Sequence, residues 1–200
     1  MRLDNTFEQN RGTAAPSRST RSLAVTTMVF PAQETVVILG TSRDDGNTWA
    51  TVQAVLGGRP VEVVNLSNAR FTAYDYRHRN ADDGFLPLVE AIVGKSFWIL
   101  ATPVYWYSMS AQLKLFFDRL SDLITVRKDL GRLLRGKSVA VVASGTDEAI
   151  PDGFEVPFQR TCEYLGMKYV GAFYLPYGKD DRASSAHLEA ARKVGAAWIS

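Results

Sequence analysis

Cysteine occurs once in this chain, at Cys162, and that scarcity closes several routes at once. A single thiol cannot build an internal disulfide framework, a cysteine-ligated cluster or a cysteine zinc site. Histidine is almost as scarce, and His78 and His187 are too few and too far apart to suggest a metal site. No metal ligand is therefore assigned. Long apolar runs are also missing, since the longest are strand-sized and a bilayer span needs about 20 residues. These absences fit a reducing, cytoplasmic setting with no membrane partner. Charge of one sign is lacking too. The net charge of +2 comes from Arg2, Arg11, Arg18 and Arg21 set against Asp4 and Glu8. Residues 34–200 carry acidic and basic groups in equal number. A neutral domain offers no electrostatic footprint for nucleic acid.

What remains is a chain of 200 residues, 46% hydrophobic, enough to bury one proper core. Residues 1–33 are rich in Arg, Ser and Thr and lack hydrophobic periodicity, which is the composition of a disordered extension. Its composition faintly resembles an organelle transit peptide, and a plainer alternative is an over-long start with Met28 as the true beginning. The folded domain is expected over residues 34–200.

Strand-like runs recur at Thr35–Leu39, Val61–Leu66, Ser96–Thr102, Ser138–Ser144 and Tyr169–Leu175. They are nearly continuous in apolar residues, the pattern of strands covered on both faces. Helical patterns separate them. Thr48–Leu56 stops at Gly57-Gly58, Phe85–Val93 at Gly94, and Glu155–Leu165 at Gly166, each a C-terminal stop signal. Ser110–Ile124 carries an apolar stripe through Leu113, Phe116, Phe117, Leu120, Leu123 and Ile124, and Ser184–Ile199 closes the chain. Strands alternating with helices specify an α/β fold with a doubly wound, five-stranded parallel sheet, order 2-1-3-4-5, and helices on both faces.

In such a sheet the loops after strands one and three flank the ligand crevice. The first reads Thr41-Ser42-Arg43-Asp44-Asp45-Gly46-Asn47-Thr48. It is neither a dinucleotide fingerprint nor a P-loop, so nucleoside triphosphate hydrolysis and dinucleotide-fold NAD binding are not expected. Thr41, Ser42, Asn47 and Thr48 supply neutral donors, Arg43 supplies charge, and a helix N-terminus beginning near Asn47 favours an anion. An ordinary N-cap would use similar residues. The second loop, Pro103-Val104-Tyr105-Trp106-Tyr107-Ser108, is rigid and aromatic. Its three consecutive aromatics cannot all face a core, so at least one belongs at the crevice or at a subunit contact. Ser144-Gly145-Thr146, after strand four, is small enough to let backbone approach a ring. An anion site beside a flat-ring site suggests a nucleotide-like cofactor.

With these residues in view, the chain resembles the flavodoxin-like NAD(P)H-dependent FMN reductases and NAD(P)H:quinone oxidoreductases. The resemblance rests on Gly40-Thr41-Ser42-Arg43-x-x-Gly46-Asn47-Thr48. It rests more heavily on Ala101-Thr102-Pro103-Val104-Tyr105-Trp106-Tyr107-Ser108-Met109-Ser110-x-x-x-Lys114-x-x-x-Asp118-Arg119. It implies bound FMN, with the phosphate on Thr41 to Thr48 and the ring against Pro103, Val104, Tyr105 and Trp106. Ser144, Gly145 and Thr146 would border the ring. Some relatives carry an iron–sulfur cluster in the loop after strand two; here Arg70 to His78 contain no cysteine, and a cluster is excluded. Relatives are commonly dimers or tetramers, which implies a homodimer or homotetramer.

The expected activity is hydride transfer from NAD(P)H through FMN to a quinone, flavin or similar small acceptor. The hydride step requires no side-chain acid or base, so no catalytic residue is assigned. Lys114 and Asp118 read as a surface ion pair, Arg119 as structural, and Cys162 as a packed small hydrophobe. One alternative is a flavodoxin-type electron carrier without a nicotinamide site, against which the neutral charge and the aromatic loop both argue. Another is a flavin-free binding domain of the same fold.

Overall fold

Apolar residues on both sides of every central strand dictate the architecture. In the computed structural model, which describes residues 29–43, 45–178 and 183–200, the strands are β1 (Thr35–Leu39), β2 (Glu62–Asn65), β3 (Phe97–Pro103), β4 (Ser138–Gly145) and β5 (Lys168–Pro176). They form one parallel sheet in the order β2-β1-β3-β4-β5, as expected from sequence. Side chains alternate across a strand, so β1 sends Val36 and Ile38 to one core and Val37 and Leu39 to the other. β3 divides in the same way, with Trp98 and Leu100 on one face and Phe97, Ile99 and Ala101 on the other.

Helices α1 (Asn47–Leu56) and α7 (Ser185–Trp198) cover one face. The other is covered by α2 (Phe85–Ile92), α3 (Ala111–Arg119), α4 (Asp122–Thr125), α5 (Lys128–Leu133) and α6 (Val156–Leu165). Among the described residues, no helix is long and apolar enough to cross a membrane. Cys162 sits in the α6 core, where burial pushes its thiol up to about 12 and keeps it inert.

Two sequence expectations need correction. The helix expected over Ser110–Ile124 breaks after Arg119. The amide of Leu120 bonds to the carbonyls of both Phe116 and Phe117, and that of Ser121 reaches Asp118, so the last turn tightens before α4 begins. The apolar stripe continues across the break, with Leu113, Phe116, Leu120 and Leu123 buried. The break turns Asp122 inward, where it pairs with Arg119 at 2.7 Å. The second correction concerns the domain edge. Residues 29–33, grouped with the extension, join the fold: Phe30 bridges Ile199 and stacks on Phe97 with ring centroids 4.3 Å apart. The rest of the extension, residues 1–28, lies outside the described residues.

Candidate functional site

The C-terminal ends of β1, β3, β4 and β5 are tied to one another before they reach any ligand. Ser110 caps α3, its hydroxyl accepting from the Leu113 amide while donating to the Gly40 carbonyl at 2.6 Å. A Cβ on Gly40 would stand 2.6 Å from Cβ of Leu113, so only glycine lets the β1 exit lie this close to α3. The Val104 amide donates to the Ser144 carbonyl and the Tyr177 amide to the Gly145 carbonyl, each at 2.8 Å.

These ties frame a cleft of about 310 Å³, at the small end of the range for small-molecule sites. It is lined by Thr41, Arg43, Gly46, Asn47 and Thr48 from the first loop. Pro103, Val104 and Tyr105 come from the second, and Ser144, Gly145 and Thr146 from the third. The three loops singled out in the sequence thus meet in one place. Ser42 is an exception: its hydroxyl accepts from Nε2 of Gln112 at 3.1 Å, facing α3 instead of the cleft. Trp106 is another, because it lines a neighbouring shelf.

The first-loop end of the cleft is built for an anion. The N-cap of α1 is Gly46, which has no side chain to cap the helix, and the first turn of the helix holds no acidic residue. An N-cap role for Asn47 or Thr48, the plain alternative, is therefore not what the structure shows. Thr48 instead shares a 2.8 Å hydrogen bond with Ser144, both buried, which locks the first loop to the end of β4. Arg43 folds back over the helix start, where an added Cβ on Gly46 would lie 3.5 Å from its Nε. Among the described residues it has no ion-pair partner. A helix whose first turn carries no acid, beside a guanidinium with no ion-pair partner among the described residues, favours a phosphate.

Tyr177 lines the same cleft without any sign of it in the sequence, where it is an unremarked residue just beyond β5. It is 3% exposed. Thr51 donates to the Asn47 carbonyl at 2.8 Å, so the 3.1 Å contact between Thr51 and Tyr177 has the phenol as donor. Burial raises the Tyr177 pKa against the lowering effect of that bond, which keeps the proton on. The chain Tyr177–Thr51–Asn47 braces the first turn of α1.

The aromatic loop has an unusual backbone. Tyr105 and Ser108 exchange both backbone hydrogen bonds, at 2.9 and 3.0 Å, and the two residues between them have positive φ, 49° at Trp106 and 63° at Tyr107. This is the two-residue turn that ordinarily demands Asn-Gly. Trp106 is 94% and Tyr107 69% exposed, so burial does not compensate for the strain and neither ring belongs to the core. Replacing Trp106-Tyr107 by Asn-Gly is expected to stabilise the domain by about 1 kcal/mol, raising Tm by about 2–4 °C in calorimetry. A lowered Tm would mean that the two rings contribute packing.

Lys114 and Asp118 form the expected i,i+4 pair on a half-exposed face, worth a few tenths of a kcal/mol. Arg119 is different. It is fully buried, bonding Asp83 at 2.6 Å, Asp122 at 2.7 Å and the Thr72 carbonyl at 3.0 Å. It clamps the loop between β2 and α2 onto α3, and His78 closes the cluster at 3.1 Å from Asp122. Among the described residues no group of His, Cys, Asp and Glu could hold a metal.

A family model described as NADPH-dependent FMN reductase matches residues 34–180. YwqN of Bacillus subtilis (strain 168), whose name places it among NAD(P)H-dependent FMN-containing oxidoreductases, is 30% identical over 145 residues. The match covers 68% of this chain and 80% of that protein. KefF of Enterobacter sp. (strain 638), named as an ancillary protein of a glutathione-regulated potassium-efflux system, is 36% identical over 93 residues. That match covers 42% of this chain and 53% of KefF. The solved structure of the Trp repressor binding protein from Bacillus subtilis superposes with a TM-score of 0.65 at 26% identity. It covers 80% of this chain and 96% of that one.

Proposed function

Because this chain belongs to the NADPH-dependent FMN reductase family, an FMN- and NAD(P)H-dependent group of oxidoreductases, we propose that the cleft above β1, β3 and β4 is its FMN site. The observation that supports this is the meeting, in one cleft, of a helix start whose first turn carries no acid, under Arg43, with the Pro103–Tyr105 and Ser144–Thr146 residues. Thr41, Thr48 and Arg43 would bind the phosphate at the α1 end. Pro103, Val104 and Tyr105 would support one edge of the ring, and Gly145 and Thr146 the other. Bound FMN supplies hydride and electron transfer between a reduced nicotinamide and a small acceptor such as a quinone or a flavin.

The protein's own contribution is placement. The Thr48–Ser144 bond joins the phosphate end to the ring end, so neither can drift without the other. The Ser110–Gly40 bond fixes the β1 exit against α3. Such a pre-organised cradle reduces the ordering that binding would otherwise cost.

Purified protein mixed with FMN is expected to retain flavin absorbance through gel filtration, and anaerobic NADPH or NADH is expected to bleach it. Protein that holds no flavin sinks the cofactor assignment. Flavin that is held and bleached by neither nucleotide makes the chain an electron carrier.

A further inference from the structure

On the side of the sheet covered by α2 to α6, two adjoining hollows of about 270 and 200 Å³ form one groove. They share Ile124, Tyr164 and Leu165. The first is walled by Phe117 and Leu120, at the end of α3, and the second by Leu123 and Gly131, where α5 lies against α4. A Cβ on Gly131 would collide with the Leu123 carbonyl, so only glycine lets these two short helices close up. The floor is apolar, with Leu120, Leu123 and Leu165 buried. At the rim Ile124 is 39% and Tyr164 75% exposed. Exposed apolar groups gathered around a groove, unlike single scattered ones, mark an interaction surface.

Charge says what docks there. Residues 34–200 are neutral overall, yet Lys128, Arg132, Arg135 and Arg160 line the groove and no acid does. Glu163 pairs with Arg160 at 2.9 Å on an exposed surface, where such pairs are weak, and Asp129 is taken by Arg127. Lys128, Arg132 and Arg135 have no ion-pair partner among the described residues. The same charges disfavour two occupants from this chain. A second copy seated across a twofold axis would set cations against cations. Residues 1–28 carry four arginines against Asp4 and Glu8, and would be repelled. A nucleic acid would meet the cations but leave the apolar floor uncovered.

We propose that the groove docks an acidic amphipathic segment of a partner protein, its apolar side chains seated in the two hollows and its carboxylates facing Lys128, Arg132 and Arg135. Apolar anchors supply the affinity, while the guanidinium forks set register and speed encounter. None of the groove residues lines the cleft, so this inference stands whether or not the cleft holds FMN.

The probe is a fluorescein-labelled synthetic peptide with leucine along one helical face and glutamate along the other, titrated with the full chain at low salt and read by anisotropy. It is expected to bind. Counterparts with lysine for glutamate, or serine for leucine, are expected to bind at least about tenfold more weakly. Arg132→Glu combined with Arg135→Glu is expected to weaken the acidic peptide by about tenfold or more, the loss shrinking as salt rises. Tyr164→Ala should weaken it about three- to tenfold, and an unchanged Tm shows that each variant still folds. An acidic peptide that does not bind, or whose Kd the charge reversal leaves unmoved, overturns the proposal. So does an oligothymidylate that binds more tightly than the peptide. Sedimentation velocity supplies the remaining outcome: self-association that Tyr164→Ala abolishes gives the groove to a second copy and overturns the proposal as well.

Discussion

Replacing Arg119 with methionine is expected to cost about 3–5 kcal/mol of stability in urea unfolding, the largest loss foreseen for any single side chain here. The guanidinium is 0% exposed, and its bonds reach Asp83, Asp122, the Thr72 carbonyl and the Asn80 carbonyl. It also lies 4.8 Å from the centre of the Phe85 ring. Methionine fills much of the volume but leaves Asp83 without its guanidinium partner, Asp122 with His78 alone, and the Thr72 carbonyl short of a donor. Lysine keeps the charge yet cannot fork to both carboxylates, so Arg119→Lys should fall between parent and Arg119→Met. Acid gives an independent check. Burial raises the Asp83 pKa, but hydrogen bonds from Arg119 and from the Thr72 and Phe85 amides outweigh it, and the net shift is downward. A carboxyl lowered in the folded state stabilises above its unfolded pKa, and that stabilisation is lost as pH falls through the folded value. The parent should therefore weaken with acid below about pH 4, and the Arg119→Met variant should weaken less over that window. A cost under about 1 kcal/mol would mean that the carboxylates find water or a proton once Arg119 is gone.

Arg43→Glu should lower FMN affinity by about 100-fold while leaving Tm nearly untouched. That loss combines a missing charge-assisted bond, about 1.5–3 kcal/mol, with repulsion from the new carboxylate. Arg43 is exposed and has no ion pair among the described residues, so folding does not depend on it. Riboflavin, which has the ring without the phosphate, is the control. Fluorescence titration should show riboflavin binding almost unchanged and FMN binding sharply reduced, with the gap narrowing at high salt. Equal losses for both flavins would place the phosphate elsewhere.

The sheet is legible in the sequence because burial on both faces leaves an unmistakable trace. Thr35–Leu39 matches its apolar run residue for residue, and the other strands match theirs to within a residue at each end. The three loops of the cleft are legible for a related reason: small, polar or rigid residues directly after a buried strand have few other uses. What escapes are features that depend on distant partners. Arg119 meets Thr72, Asn80 and Asp83, residues 47, 39 and 36 positions away, and nothing in its own neighbourhood announces that it is buried. Tyr177 follows a strand whose exposure pattern is mixed, so its place under the first loop has no local signal. Ser42 fits the loop's composition but points the other way, because Gln112 on α3 offers it a donor. Composition marks the aromatic turn, whereas its positive φ angles at Trp106 and Tyr107 cannot be read from residues that normally avoid them.

The pairing of Phe30 with the segment ending at Ser200 carries a practical corollary. The amides of Phe30, Ala32 and Ser200 bond to the carbonyls of Trp198, Ser200 and Phe30. Both ends of the described domain are therefore zipped together below the first residues of β1, at the pole of the sheet opposite the cleft. A molecule anchored to an electrode or a bead through Ser200 would turn the cleft outward, toward solution.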